Sequence, residues 1–210
     1  MNKIKIIIAD DHELFRNGLK ELLIKHNDID VLASVGDGIL FMDAIETFKD
    51  VSIVLLDLTM PNMDGFEVLK ALKNENPTIK PIIISMHNDG NYIAKSAKAG
   101  AYGYLLKNTD EEELIKVIRI VNQGKKYFSP TISEKMINFM SEQKVSENII
   151  SNKEKEVLGL ISKGLTTKEI ASKLFVSTRT IETHRANILK KLDVKNTAEL
   201  IKKATEINLI

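Results

Sequence analysis

The chain has no cysteine among its 210 residues. Disulfides and thiolate metal sites are therefore excluded, and a reducing compartment is permitted. No apolar run approaches the ~20 residues that a membrane span requires. The start, Met1-Asn2-Lys3-Ile4-Lys5, leads into a few apolar residues and then two aspartates, too short and too acidic a pattern for a secretory leader. There is no P-loop and no dinucleotide fingerprint. Net charge is also nearly missing, at +1. What is present is ordinary for a globular protein: 43% hydrophobic and 28% charged residues, in a length that suits one large domain or two modest ones.

The small net charge conceals an asymmetry. Residues 1–122 carry 14 Lys+Arg against 19 Asp+Glu, a net of −5, and residues 123–210 carry 16 against 10, a net of +6. An acidic half followed by a basic half predicts two domains with different partners, the basic one facing a polyanion such as nucleic acid. In the first half, short β-branched runs at 4–9, 31–35, 51–56, 81–85 and 101–106 alternate with helical patterns. This spacing predicts repeated βαβ units: an α/β fold whose five-stranded parallel sheet is buried on both faces. Asp64 with Glu67 and Thr109 with Glu112 fit capping boxes. Gly124 stops the last helix. Residues 123–147 read as a linker with one helix, opened by Ser129 as cap and Pro130 at its first position. From 148 the pattern is all-helical, with Ser151/Glu154 and Thr166/Glu169 as capping boxes and Ser177 capping a third helix. A fourth begins at Thr197. The tight turn around residues 175–177 makes a helix-turn-helix of the second and third helices.

Chemistry enters at the strand ends. Asp10 and Asp11 follow the first strand, Asp57 the third, Ser85 ends the fourth and Lys107 follows the fifth. A parallel sheet brings all five to one edge, and a 2-1-3-4-5 order puts its reversal point between strands one and three, with Asp10 and Asp11 beside Asp57. Three crowded carboxylates repel one another, and a hard divalent cation such as Mg²⁺ relieves this. Asp57 then suits a nucleophile toward a phosphoryl group: a carboxylate is ionised at pH 7 and needs no general base. Mg²⁺, Lys107 and the Ser85 hydroxyl would meet the phosphoryl oxygens. In the basic half, helix 178–192 turns Ile181, Ile188 and Leu192 inward and Glu182, Thr183, Ala186, Asn187 and Lys190 outward. A helix of this kind fits the DNA major groove. Thr178, Arg179, Thr180, Lys191 and Lys168 are placed for phosphate contacts. Glu182 is awkward there, able to accept from cytosine N4 or to pair with Arg179 or Arg185.

The stretches IIADDHELFRNGL, LLDLTMPNMDGFEVL, IIISMH and GAYGYLLK resemble the receiver domain of bacterial two-component response regulators. The stretch SNKEKEVLGLISKGLTTKEIASKLFVSTRTIETHRANILKKLDV resembles the LuxR-type helix-turn-helix. Together they resemble a NarL/FixJ-type response regulator. The resemblance implies a flavodoxin-like receiver over 1–122 and a four-helix DNA-binding domain over 148–210. It implies Asp57 as phospho-acceptor, Asp11 as a direct Mg²⁺ ligand, Asp10 as one acting largely through water, and the Thr59 backbone carbonyl as a further ligand. Ser85 becomes the switch hydroxyl, Lys107 the phosphoryl partner, and Tyr104 an aromatic switch. A sensor histidine kinase, a homodimer on activation, paired DNA half-sites and a cytoplasmic location are the implied context. Enzymatic turnover is limited to slow self-dephosphorylation, with Thr59 and His87 flanking the site. Asn108 stands after Lys107 where many receivers have proline, which loosens that loop. Two rivals are a haloacid-dehalogenase-type phosphohydrolase and a phosphorylation-dependent protein-binding module. The first wants a second acid two residues after its nucleophile on the first strand, whereas Asp10 and Asp11 are adjacent and Asp57 lies on the third.

Overall fold

The computed structural model describes the backbone at residues 3–207 and 209–210, and side chains there outside 142–149. The chain divides into two compact units, Met1–Ile137 and Asn138–Ile210. In the first, β1 (Ile4–Ala9), α1 (Glu13–Leu23), β2 (Ile29–Val35), α2 (Gly38–Thr47), β3 (Ile53–Leu56), α3 (Gly65–Glu75), β4 (Lys80–Ser85), α4 (Gly90–Ala99), β5 (Gly103–Leu106) and α5 (Glu111–Asn122) alternate as expected. The strands pair in parallel in the order β2-β1-β3-β4-β5, followed by a short β6 (Tyr127–Phe128) beside β5.

The side-chain period of two splits the sheet's residues between two cores. Ile7, Ala9, Val54, Leu56, Ile83 and Tyr104 face α2, α3 and α4, meeting Phe41, Ile45, Val68, Leu72 and Ile93. Ile6, Ile8, Ile53, Leu55, Ile82 and Leu105 face α1 and α5, meeting Leu19, Leu23, Leu114, Val117 and Ile118. Burial on both faces explains why these strands are unbroken apolar runs rather than alternating ones.

The strand count differs from the expected five. β6 (Tyr127–Phe128) adds a sixth strand beside β5, pairing Gly103 with Tyr127 and Tyr104 with Phe128. Two residues are too few to carry a periodic signal. The pairing depends on Gly103, where a β-carbon would stand 3.2 Å from the Tyr127 carbonyl oxygen. Helix α6 (Pro130–Ile149) follows. Its start conforms to expectation, with Ser129 Oγ accepting from Ile132 N at 3.4 Å. Ile132 is buried in the α2–α4 core, and Phe128 and Met136 pack against it. Residues 123–137, expected as linker, thus belong to the first unit. A fragment 1–137 should accordingly unfold at a higher urea midpoint than 1–122, since burying an isoleucine side chain contributes ~1.5–3 kcal/mol. Equal midpoints would show that the extension adds nothing. One cap also differs: α5 is capped by Asp110, whose side chain accepts from Glu113 N, and not by Thr109 with Glu112.

The second unit contains α7 (Asn152–Ser162), α8 (Thr167–Lys173), α9 (Thr178–Lys191) and α10 (Thr197–Glu206). Ser151 with Glu154 and Thr166 with Glu169 form the expected capping boxes, and Ser177 caps α9. The core is Ile150, Val157, Leu158, Ile161, Ile170, Ile181, Ile188, Leu192, Leu200 and Ala204. No helix among the described residues is long and apolar enough to cross a membrane.

Candidate phosphorylation site and nucleic-acid interface

The parallel sheet delivers the predicted side chains to its carboxyl edge. Asp57 N donates to Ala9 O at 2.8 Å, continuing the β1–β3 ladder so that Asp57 lies next to the β1 terminus. Lys107 Nζ lies 2.8 Å from Asp10 Oδ2 and 2.7 Å from Asp57 Oδ2. The other Asp57 oxygen accepts from Leu58 N at 2.7 Å and from Thr59 N at 3.4 Å. Asp10 Oδ1 accepts from His12 N at 2.8 Å. Asp10, Asp57 and Ser85 are buried, whereas Asp11 is exposed.

Burial pushes the Asp57 carboxyl above the ordinary carboxylate range; Lys107 opposes this and the Asp10 charge adds to it. Burial pulls the Lys107 ammonium down, but hydrogen bonds to Asp10 and Asp57 outweigh it and leave the group above its usual value. Burial likewise raises the Tyr104 phenol to about 12.

Two residues not assigned a metal or switch role in the sequence reading belong to the constellation. His12 Nδ1 lies 2.8 Å from Asp11 Oδ1 and 3.3 Å from Lys107 Nζ, and ligand atoms of Asp10, Asp11, His12 and Asp57 lie within 4.8 Å of one another. Its adjacency to two aspartates is the available signal. His87 joins the switch residues. Its N–H donates to Ser85 Oγ at 3.2 Å, its carbonyl accepts from the fully buried Tyr104 hydroxyl at 2.8 Å, and Thr59 Oγ1 lies 3.2 Å from its ring Nε2. The ring stacks on Tyr92 at 3.9 Å between centroids. That part arises from the β4–α4 loop folding back and has no periodic signature.

In the second unit, Lys168 on α8 is exposed, as are Thr178, Arg179, Thr180, Glu182, Thr183, Ala186, Asn187 and Lys190 on α9, whose Ile181 and Ile188 are buried. Thr180 Oγ1 is engaged with the Ser177 hydroxyl at 2.8 Å, and Thr183 Oγ1 donates to Arg179 O at 2.9 Å. Arg185 reaches Thr197 Oγ1 at 3.1 Å. Glu182 makes no ion pair among the described residues. Lys191 is exposed as well, and its ammonium lies 2.7 Å from the buried Glu154 carboxylate.

An acidic carboxyl-edge site in one unit and a helix-turn-helix in the other define a two-part signalling protein with a DNA-directed output. Comparison with known proteins agrees. Residues 6–119 match the response regulator receiver domain, and residues 148–204 match the bacterial regulatory proteins of the luxR family. The oxygen regulatory protein NreC of Staphylococcus epidermidis is 35% identical over 99% of both chains. The transcriptional regulatory protein DegU of Brevibacillus brevis is 32% identical over 95% of this chain and 92% of its own. Among solved structures, Salmonella typhimurium RcsB superposes with a TM-score of 0.72 at 26% identity, covering 97% of this chain and 100% of that one. An RcsB–DNA complex matches with a TM-score of 0.66 at 26% identity, over 97% and 98%. The chain belongs to the two-component response regulators with a LuxR-type helix-turn-helix domain, which regulate transcription.

Proposed function

We propose that phosphorylation of Asp57 by a sensor histidine kinase switches this cytoplasmic regulator into a dimer that binds paired DNA half-sites. The observation that carries the reading is the Lys107 ammonium bridging Asp10 and Asp57 at the carboxyl edge. A carboxylate oxygen of Asp57 attacks the phosphorus of a phosphohistidine, the P–N bond breaks, and an acyl phosphate forms. Lys107 supplies positive charge to the arriving oxygens, and the buried Ser85 hydroxyl is a hydrogen-bond donor for another. The donor set fits a hard cation: Asp10, Asp11 and Asp57 present carboxylate oxygens in reach of one another, with the Thr59 carbonyl as a fourth candidate. Mg²⁺ held there would offset the negative charge gathered on three carboxylates and a phosphoryl group. Hydrolysis of the acyl phosphate is slow self-dephosphorylation, at a site where Thr59 stands beside Asp57 and His87 beside Thr59.

On the DNA side, Thr183, Asn187 and Glu182 are the candidate base readers. Lys168, Thr178, Arg179, Thr180 and Lys191 are the candidate phosphate contacts, and Lys190 shares the outer face with the base readers. One helix-turn-helix reads only a short half-site, so specificity requires two, about 10 bp apart. The expected result is a larger particle in sizing experiments once Asp57 is phosphorylated, and cooperative binding to a palindrome. That binding should weaken steeply with salt, by roughly 0.9 in log–log slope per phosphate neutralised. Identical mass and identical DNA affinity with and without phosphate on Asp57 would refute the switch.

A further inference from the structure

Among the described residues three carboxylates have an almost fully buried side chain, and two of them, Asp10 and Asp57, belong to the phosphorylation site. The third, Glu154, lies in the helical unit, where nothing in the proposed chemistry uses it. Its side chain is 4% exposed. One of its oxygens, Oε2, accepts from Ser151 N at 2.6 Å and from Lys191 Nζ at 2.7 Å. Glu154 is the third residue of α7, and Lys191 is the last of α9. A carboxylate in the first turn of one helix and an ammonium in the last turn of another are each favoured by the dipole of their own helix. Ion pairing fastens those two ends together.

Resting on the reading of α9 as the DNA-recognition helix, we infer that Lys191 is a positioning residue and not a phosphate contact: its bond to Glu154 sets the angle at which α9 is presented to DNA. Ile181 and Ile188, with Leu192 just beyond the helix, are buried from α9, and Leu189 packs against the same core. Such packing selects a class of crossing angle with a scatter of about 15–20°. Polar ties narrow it: Arg185 to Thr197 Oγ1 at 3.1 Å partway along the helix, and Lys191 to Glu154 at its end. Leverage makes the end tie matter. A helix of 14 residues is about 21 Å long, so a tilt of ~5° about one end displaces the other by roughly 2 Å. Asn187 stands one turn from Lys191 and Thr183 about 12 Å from it along α9, so the same tilt moves the base-reading residues by roughly 0.5–1 Å, and hydrogen bonds tolerate only tenths of an ångström. Truncating Lys191 also strands a buried carboxylate, which then moves toward water and takes its neighbours along. In agreement with a paired state, Glu154 has a carboxyl held below its usual range: burial opposes this, while Lys191 and Ser151 outweigh burial.

The charge of Glu154 makes the inference testable. Removing a carboxylate from a polyanion-binding domain ordinarily tightens binding or leaves it unchanged; here it should weaken it. Full-length wild type, E154Q, K191M and the double variant E154Q/K191M are compared. The probe is the tightest 30-base-pair duplex that wild type selects from a random pool, with a scrambled duplex as control. Affinities are normalised to the active fraction found by stoichiometric titration, so a less stable fold alone does not change them. E154Q and K191M should each lower the selected-to-scrambled affinity ratio about tenfold. The double variant should be no worse than the poorer single one. All four proteins should share one salt slope. A loss of about 0.9 from the slope in K191M with the ratio intact, or unchanged or tighter binding by E154Q, overturns the inference. Should E154Q not fold, K191M decides by its slope and ratio. Failure of wild type to select any duplex would instead remove the DNA-binding reading itself.

Discussion

Asp57→Asn is expected to abolish acyl-phosphate formation from a small phosphodonor and Mg²⁺, a loss of at least ~10³-fold, because an amide is neither anionic nor nucleophilic at pH 7. Mass spectrometry after a timed incubation reads the result, and a hydroxylamine-labile phosphate on the variant would contradict the assignment of Asp57. The same substitution should raise the stability of the metal-free unit. Burial holds the folded-state pKa of Asp57 above its unfolded value, with Lys107 opposing and the Asp10 charge contributing. The native state therefore favours the protonated form, and stability falls as pH rises from the unfolded carboxylate range through the raised one. Asparagine removes that dependence. The melting temperature without metal should rise by a few degrees, at roughly 2–8 °C per kcal/mol for domains of this general size. Mg²⁺ should raise the melting temperature of the wild type more than that of the variant, since binding to the folded form alone stabilises it by mass action. Equal responses to Mg²⁺ would separate Asp57 from the metal-binding set.

Gly65→Ala should also impair the site, although less severely and although Gly65 carries no chemistry. A β-carbon at Gly65 would overlap the Asp57 carbonyl oxygen and stand 2.8 Å from Leu58 Cα and 3.1 Å from the Asp57 carbonyl carbon. All three are backbone atoms and none can rotate away. Gly65 N also donates to Leu58 O at 3.0 Å, so the start of α3 is pressed onto the peptide that aims the Asp57 side chain. One added methyl group must push that peptide or α3 aside. Overpacking of this kind costs ~1–3 kcal/mol, and a misplacement of about 1 Å at a reacting group can cost ~10² in rate. The expected outcome is a lower urea midpoint and a phosphorylation rate reduced at least tenfold at saturating phosphodonor. Ala at Gly18, where a β-carbon meets nothing within 4 Å, serves as the control and should leave the phosphorylation rate near wild type. A Gly65→Ala protein with wild-type kinetics would show that the close approach has no bearing on the site.

The sequence by itself determined the parallel α/β sheet, the helix-turn-helix and the members of the acidic cluster. Each rests on a local or periodic signal: β-branched runs at βαβ spacing, capping boxes such as Asp64/Glu67 and Ser151/Glu154, and polar residues placed just beyond strand ends. In a parallel sheet, sequence position at a strand terminus is equivalent to spatial position at one edge, which is why Asp10, Asp57 and Lys107 could be gathered without coordinates. Only tertiary structure decided the rest. β6 is two residues long and exists because β5 offers an open edge and Gly103 admits a close backbone. His87 joins Ser85, Thr59 and Tyr104 because the β4–α4 loop folds back, and loop geometry has no period to read. The position of Lys191 on a basic helix predicts a phosphate contact, and no local pattern announces that its ammonium also reaches Glu154, 37 residues earlier in the chain. Helical periodicity gives the direction of a side chain about its own axis, but which charges lie within reach of a long lysine side chain is a property of the packed helices.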